Sequence, residues 1–567
     1  MKNIKRFLGS TALVFLFSVL LVLVSEYTHF CNFSDVLSLF LKKSGVILFC
    51  AAILFFMIMS IIWATSSMKI GPVVICVLVF TLAIVEFYKY DVSGSHFVIA
   101  DMIFASDFQQ ISGFAVLTPK LHIFIAGAIL ALVIVGLCFV KPPKIKVKWQ
   151  RFVAAFLSFA VAFGLFFFGK CYTLAGFDTE PAFTLMRANE RFENDGFFAT
   201  FLQDAREYSF SDLKEPDGYS EEYMQKYQVS AEKGNSSKKP NVVIILSESY
   251  ADLREVSDND EAIEFAYAKY DDAKALSSSS LTSVPTFGGY TVRSEFEMVF
   301  GLPSISMSNV PAPHLKLCEN QPQNTLVREY LNNGYSTTYI HPYIADFYDR
   351  DTIYPLYGFT NMYFDEDFDE ETTELCRGFI SDSAVYKKVA EQLQKDEEPS
   401  FVFAMTMQNH QPYVRNDGTF DNELGNYLEG AEASSEAVFE FFSWLETFPE
   451  ETIVLFLGDH YPFFSPQGGV YAGLNAGAGL SEEMYTQSYL VYSNKEKIEL
   501  PEGEVSLFYL PHYIYDKAGL PECGFVNTML DHMAVEPIYS IAGYDGTRSG
   551  FLDTVTYDRV YGECYIK

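Results

Sequence analysis

The chain has 567 residues, 49% of them hydrophobic, and a formal net charge of −32. That charge is unevenly spread: up to about residue 175 there are 14 Lys and Arg against 6 Asp and Glu, a net +8, leaving 26 against 66, a net −40. So acidic a remainder excludes nucleic-acid binding by counterion release, and an anionic substrate must be captured there by local positive charge rather than by a global field.

From the N-terminus, five apolar runs are long enough to span a bilayer as helices, at about 7–25, 45–64, 70–88, 121–140 and 151–169. No small-residue cleavage site follows the first and four more spans do, so it reads as an uncleaved helix. Lys2, Lys5 and Arg6 precede span one, Lys69 sits between spans two and three, and Lys141, Lys144, Lys146, Lys148 and Arg151 lie between spans four and five. These basic segments fall on one side, which the positive-inside rule makes cytoplasmic. The expected protein is therefore multi-pass in the cell membrane, with its N-terminus cytoplasmic and its C-terminal domain extracellular.

Three parts are expected: a transmembrane domain over 1–170, a juxtamembrane amphipathic linker over 171–238, and an extracellular domain over 239–567. In the linker, Phe192, Phe197, Phe198 and Phe201 precede Glu207 and Tyr208, a pattern of one or two helices lying along the membrane surface. The polar stretch from Ser230 to Lys239 reads as a boundary. Cys318, Cys376, Cys523 and Cys564 fall in the outer part, where one or two disulfides could form.

Beyond residue 240, short β-branched runs alternate with helical stretches, as in a mostly parallel sheet with helices on both faces. Four runs end on ionisable or ligating residues. Asn241-Val-Val-Ile-Ile-Leu-Ser247 delivers Glu248, and Ser336-Thr-Thr-Tyr-Ile340 delivers His341. Phe401-Val-Phe-Ala-Met-Thr406 delivers Asn409 and His410, and Thr452-Ile-Val-Leu-Phe-Leu457 delivers Asp459 and His460. Ligands of such sheets bind beyond the carboxyl ends of the strands. Glu248, Asp459 and His460 offer a mixed oxygen and nitrogen set for one divalent ion, compatible with Mn²⁺ or Zn²⁺. Gly288 and Gly289 permit a tight turn before Thr291, which stands where an N-cap would, ahead of Ser294 to Phe300. Thr291 is either a cap or, with a metal or base to activate it, a nucleophile.

Together these elements resemble the lipoteichoic acid synthase family. The resemblance rests on Glu248 after a strand, the Gly288-Gly289-x-Thr291-x-x-x-Glu295-Phe296-Glu297 element, the Asn409-His410-x-Pro412-Tyr413 segment and the Gly458-Asp459-His460 segment, in order behind five spans. It implies a sulfatase-like external domain of the alkaline phosphatase superfamily. It further implies that Glu248, Thr291, Asp459 and His460 bind one metal, usually Mn²⁺, with Thr291 as nucleophile. His410 would contact the substrate phosphate or shuttle a proton. In His341-Pro-Tyr-Ile-Ala-Asp-Phe-Tyr-Asp-Arg350, Arg350 would grip phosphate by charge-assisted hydrogen bonds. Tyr348 takes the place of a common Trp, and His341 either binds substrate or supports the Arg350 loop.

The neighbouring chemistries fit less well. Sulfatases need a C/S-x-P-x-R element, and here Ser283-Val-Pro285-Thr-Phe287 has Phe where Arg is required. A second catalytic metal would have to use His512 and His532, which lack acidic partners on clear strands. The reaction implied by the resemblance is phosphoglycerol transfer from phosphatidylglycerol through a phospho-threonine intermediate to a cell-envelope acceptor, a glycolipid or a growing polyglycerophosphate. The alternatives are a phosphodiesterase or phosphoethanolamine transferase of the same fold, or a non-catalytic sulfatase-like envelope protein.

Overall fold

The computed structural model describes residues 2–93, 95–105, 118–143, 145, 147–180, 182, 184–209, 213–229, 239–257, 260–307, 312–317, 323–414, 422–465, 469–474, 482–521, 523–542 and 547–567. The chain divides into two compact units, Met1–Ile103 with Ala115–Phe210, and Phe104–Phe114 with Ser211–Lys567.

In the first unit, five helices among the described residues are long and apolar enough to cross a membrane: Phe7–Phe30, Ser44–Thr65, Ile70–Asp91, Leu121–Cys138 and Lys148–Phe167. On the last of them Phe152, Phe156, Phe159 and Phe163 are exposed, a stripe that suits lipid and not water. The protein is thus a membrane protein with a C-terminal soluble domain. Phe192, Phe197, Phe198 and Phe201 do not lie open along a membrane surface; they are buried in this unit's core. The reason is local. Glu26, buried in the first spanning helix, accepts the N–H groups of Phe197 and Phe198 at 2.8 and 3.0 Å, capping the helix Phe197–Tyr208 from inside the unit. The boundary stretch from 230 to 238 lies outside the described residues.

The second unit is built on an eight-stranded sheet. Its strands are β1 (Asn241–Ser247), β2 (Ser278–Ser283), β3 (Ser336–Ile340), β4 (Asn361–Tyr363), β7 (Ser400–Met405), β8 (Thr452–Gly458), β9 (Thr486–Ser493) and β10 (Val505–Ser506), in the order β10-β2-β9-β8-β1-β7-β3-β4. A small hairpin, β5 (Leu375–Cys376) with β6 (Phe379–Ile380), stands apart from the sheet. Strands β1, β3, β4, β7 and β8 run parallel, and β9 is antiparallel to both β8 and β2. β1, β7 and β8 are buried along their whole length, which is why their sequences are continuous apolar runs rather than alternations. The register aligns Ser247 with Gly458 and Leu246 with Met405, so the residues that follow these strands emerge at one edge. Gly458 is needed there: a Cβ would meet the Tyr250 carbonyl oxygen at 1.6 Å. Cys376, Cys523 and Cys564 are free thiols, and Cys318 lies outside the described residues.

Candidate active site

At the carboxyl edge of β1 and β8, Glu248, Asp459 and His460 converge, with one ligand atom from each lying within 4.8 Å of the others. All three are buried. Asp459 Oδ1 accepts the N–H groups of Ser249 and His460 at 2.7 and 2.9 Å, which aims Oδ2 toward His460 Nε2 at 3.1 Å. That Oδ2 is buried and has no hydrogen-bond partner. His460 Nδ1 faces the Tyr461 carbonyl at 2.8 Å, so Nδ1 carries the proton and the Nε2 lone pair points into the cluster. Burial keeps His460 below the usual imidazole range and therefore neutral. Burial also pushes Asp459 well above the carboxylate range, and the neighbouring Glu248 carboxylate pushes it further. Two buried carboxylates facing a neutral imidazole, with one carboxylate oxygen unpartnered, form a set that a divalent cation would satisfy in charge and in donors. The residues present fit such an ion.

Thr291 joins this set. It precedes the helix Val292–Phe300, but its side chain makes no capping bond. Its Oγ1 instead donates to Glu248 Oε2 at 3.1 Å and lies 3.5 Å from His460 Nε2. The turn before it packs closely: Gly288 has φ +66°, and a Cβ there would meet Phe463 Cβ at 2.8 Å. Ser249, Tyr290 and Tyr348 hold φ values of 49°, 59° and 63° around the same pocket. Left-handed non-glycine residues are strained, and such strain gathers where geometry is fixed for function.

The pocket over this cluster is lined by His341, Tyr348, Arg350 and His410 as well as Glu248, Thr291 and His460. Of the eight site residues expected from the sequence, seven line this pocket, and Asp459 joins it through the cluster with Glu248 and His460. Arg350 is buried and donates from Nη2 to Glu295 Oε1 at 2.6 Å, from Nε to Glu295 Oε2 at 3.3 Å and from Nη1 to the Phe347 carbonyl at 3.1 Å. Its guanidinium carbon sits 5.0 Å from the centre of the Tyr348 ring. Burial works to raise the Glu295 carboxyl, but Arg350 overrides it and the net direction is down. His341 is buried with Nδ1 unpartnered, and burial with Arg350 nearby holds it neutral. Asn409 points elsewhere, donating to Ser434 Oγ at 2.8 Å. His512 is buried against the Gly301 carbonyl and His532 pairs with Glu536, so neither reaches the pocket.

Arg377 had no sequence signal beyond the Gly378 that follows it in the β5–β6 turn. Buried, it donates from Nη1 to the Gln408 carbonyl at 2.7 Å and from Nη2 to those of His410 and Pro412 at 3.3 and 2.9 Å, and it stacks 5.0 Å from the Tyr413 ring. One side chain thus pins the loop that carries His410. Glu295, visible in the sequence only as part of a motif, proves to be the anchor of Arg350.

Residues 240–520 match the Sulfatase family model. A relative from Rhizobium meliloti (strain 1021), provisionally named a cyclic beta-1,2-glucan modification protein, is 24% identical over 386 residues, 63% of this chain and 58% of its own. The lipoteichoic acid synthase of Staphylococcus saprophyticus is 24% identical over 186 residues, 30% of this chain and 28% of its own. Both matches span less than two thirds of those relatives. Among solved structures, Streptococcus pyogenes phosphoglycerol transferase GacH, in complex with sn-glycerol-1-phosphate, superposes with a TM-score of 0.51 at 19% identity, over 62% of this chain and 97% of that one. Residues 240–520 thus form a sulfatase-type domain, in a chain whose N-terminal unit carries helices long and apolar enough to cross a membrane. Within that class it is lipoteichoic acid synthase-like.

Proposed function

We propose that this protein is a membrane-bound, metal-dependent phosphoglycerol transferase that moves glycerophosphate from phosphatidylglycerol to an acceptor in the cell envelope. The observation that carries the reading is the Thr291 hydroxyl. It sits before a helix it does not cap, 3.1 Å from Glu248 and 3.5 Å from His460 Nε2. A hydroxyl so placed is a nucleophile in waiting, not a structural cap.

Glu248, Thr291, Asp459 and His460 would hold one divalent ion, and the oxygen-rich set suits Mn²⁺. When bound, that ion supplies Lewis-acid stabilisation of phosphoryl charge. Thr291 Oγ1, passing its proton to Glu248, attacks phosphorus as the bond to diacylglycerol breaks and glycerophosphoryl-threonine forms; attack by the acceptor hydroxyl then breaks the Thr291 Oγ1–P bond and returns the proton to Oγ1. His410 donates a proton to the departing oxygen and later takes one from the acceptor hydroxyl. Arg350 and Tyr348 hold the phosphoglycerol group, and His341 supports their loop from below. The acceptor is a glycolipid or a polyglycerophosphate chain. The basic loops, read by the positive-inside rule, support a catalytic domain facing outside the cell, beside a donor that is itself a membrane lipid.

The test is incubation of purified full-length protein with labelled phosphatidylglycerol and Mn²⁺. Diacylglycerol release, with glycerophosphate trapped on Thr291 and absent from Thr291→Ala, is the expected result. Release by Thr291→Ala at the wild-type rate overturns the assignment, and trapping of phosphoethanolamine instead redirects it to that headgroup.

A further inference from the structure

The membrane unit contains a second convergence of ionisable side chains that the transfer chemistry leaves unused. His29 stands at the end of the first spanning helix, Glu86 in the helix Ile70–Ser93, and His96 just ahead of the short helix Ile99–Ala105. Three separate stretches of chain thus bring two imidazoles and one carboxylate to a single point. His96 Nδ1 lies 2.6 Å and His29 Nδ1 3.1 Å from the same oxygen, Glu86 Oε1. The other oxygen, Oε2, accepts the Phe97 N–H at 2.6 Å.

The side chains of Glu86, His96 and His29 are 0%, 3% and 7% exposed. Ionisable groups at the end of apolar spanning helices are costly to bury and are retained where they pair, relay or ligate. Pairing accounts for only part of this set. The His29 Nδ1 is buried, aimed at Oε1, and makes no hydrogen bond. Another buried carboxylate of this region, Glu26, is committed to the N–H groups of Phe197 and Phe198. The rings are also held in place: His96 stacks on Phe192 at 3.7 Å and 3° and on Tyr90 at 4.5 Å and 21°. A fixed pair of imidazoles facing one carboxylate oxygen is a donor set for a transition ion, softer than the oxygen-rich set of the soluble domain.

We propose that His29 Nδ1, His96 Nδ1 and Glu86 Oε1 bind one divalent transition ion of the Zn²⁺ type, fastening the first and third spanning helices to the segment that follows the third. Both imidazoles bind as their neutral Nε2–H tautomers, with the Nδ1 lone pairs inward. Ligands around a tetrahedral ion with bonds of about 2.0–2.2 Å stand roughly 3.4 Å apart. Uptake therefore spreads the present contacts by less than about 1 Å, within the reach of side-chain rotation.

The test uses the full chain in detergent, stripped by chelator and dialysed against Zn²⁺, with bound metal counted by elemental analysis and the thermal midpoint recorded. It is done in an E248Q/D459N background, which disables the soluble set, and it reads no activity, so it stands apart from the transferase reading. One Zn²⁺ per chain and a rise in midpoint are expected. Adding E86Q, which keeps an acceptor for the Phe97 N–H, should weaken Zn²⁺ binding at least tenfold and abolish the rise, and adding H96Q should do the same. No Zn²⁺ bound in the E248Q/D459N background, or undiminished binding after both further substitutions, overturns the site.

Discussion

Arg350 and Glu295 face each other as a buried ion pair, Nη2 to Oε1 at 2.6 Å, with side chains 2% and 1% exposed. Glu295 also accepts the hydroxyls of Tyr339, at 3.1 Å, and Tyr354. The helix that begins after Thr291 therefore sets the position of the arginine as well as that of the hydroxyl. Three of the five guanidinium N–H groups are spent on protein, and the proposed phosphate contact would fall to the other two.

Removing either member of this pair should be asymmetric in effect. Glu295→Gln leaves a buried arginine without its counter-charge and should cost on the order of 3–5 kcal/mol of stability. Arg350→Lys keeps the charge and loses the two-point contact, so KM for the lipid should rise more than kcat falls. Denaturation curves and steady-state kinetics on the two variants check this, and equal behaviour would count against the pairing.

Arg377 should act on His410 without touching substrate. Arg377→Gln removes the clamp on the carbonyls of Gln408, His410 and Pro412, and transfer should slow by about 10²-fold, the scale of a misplaced catalytic group. Stability loss alone, with an unchanged rate of transfer, would mean that the clamp is only structural.

The pH dependence of folding should carry the mark of Glu297. It is buried, and although Ser304 donates to its Oε1 from both N–H and Oγ at 2.9 Å, burial pushes its carboxyl up to about 8. A raised carboxyl stabilises the folded state at low pH, and that contribution is lost as pH rises from the ordinary carboxylate range through about 8. Glu297→Gln should flatten the fall in thermal midpoint between roughly pH 5 and 8.

Metal removal should expose the repulsion between Glu248 and Asp459. Mn²⁺ at about 100 times its Kd should stabilise the wild type by about 2.7 kcal/mol. Asp459→Asn should lose that gain, yet its metal-free form should melt above the metal-free wild type, because the buried carboxyl that must take up a proton on folding is replaced by a neutral amide. Calorimetry with and without chelator separates the two effects.

Much of the site was legible because it hangs on strand ends. Continuous apolar runs announce buried parallel strands, and the residue after each run is marked by chemistry that a core does not use, as with Glu248, Asp459 and His460. Arg377 was not legible: its partners are backbone carbonyls, which carry no residue identity, and they lie 31 to 35 positions away. The role of Thr291 was ambiguous for a related reason. Capping and nucleophilic attack ask for the same side chain at the same helical position, and only the direction of Oγ1 separates them. The linker phenylalanines misled because a helix covered by neighbouring helices and one lying on lipid show the same apolar face.

The register of the sheet also sets when this protein can begin to work. β1 lies between β7 and β8, and β2 pairs with β9 and β10, strands that end at Ser493 and Ser506. A chain emerging from the ribosome N-terminus first therefore has its threonine and first acidic ligand long before their partners arrive. The half-built edge exposes two unpaired strands and no competent centre until residues beyond 460 have emerged. If the protein acts on lipid as proposed, the order of synthesis itself delays that chemistry until the sheet closes.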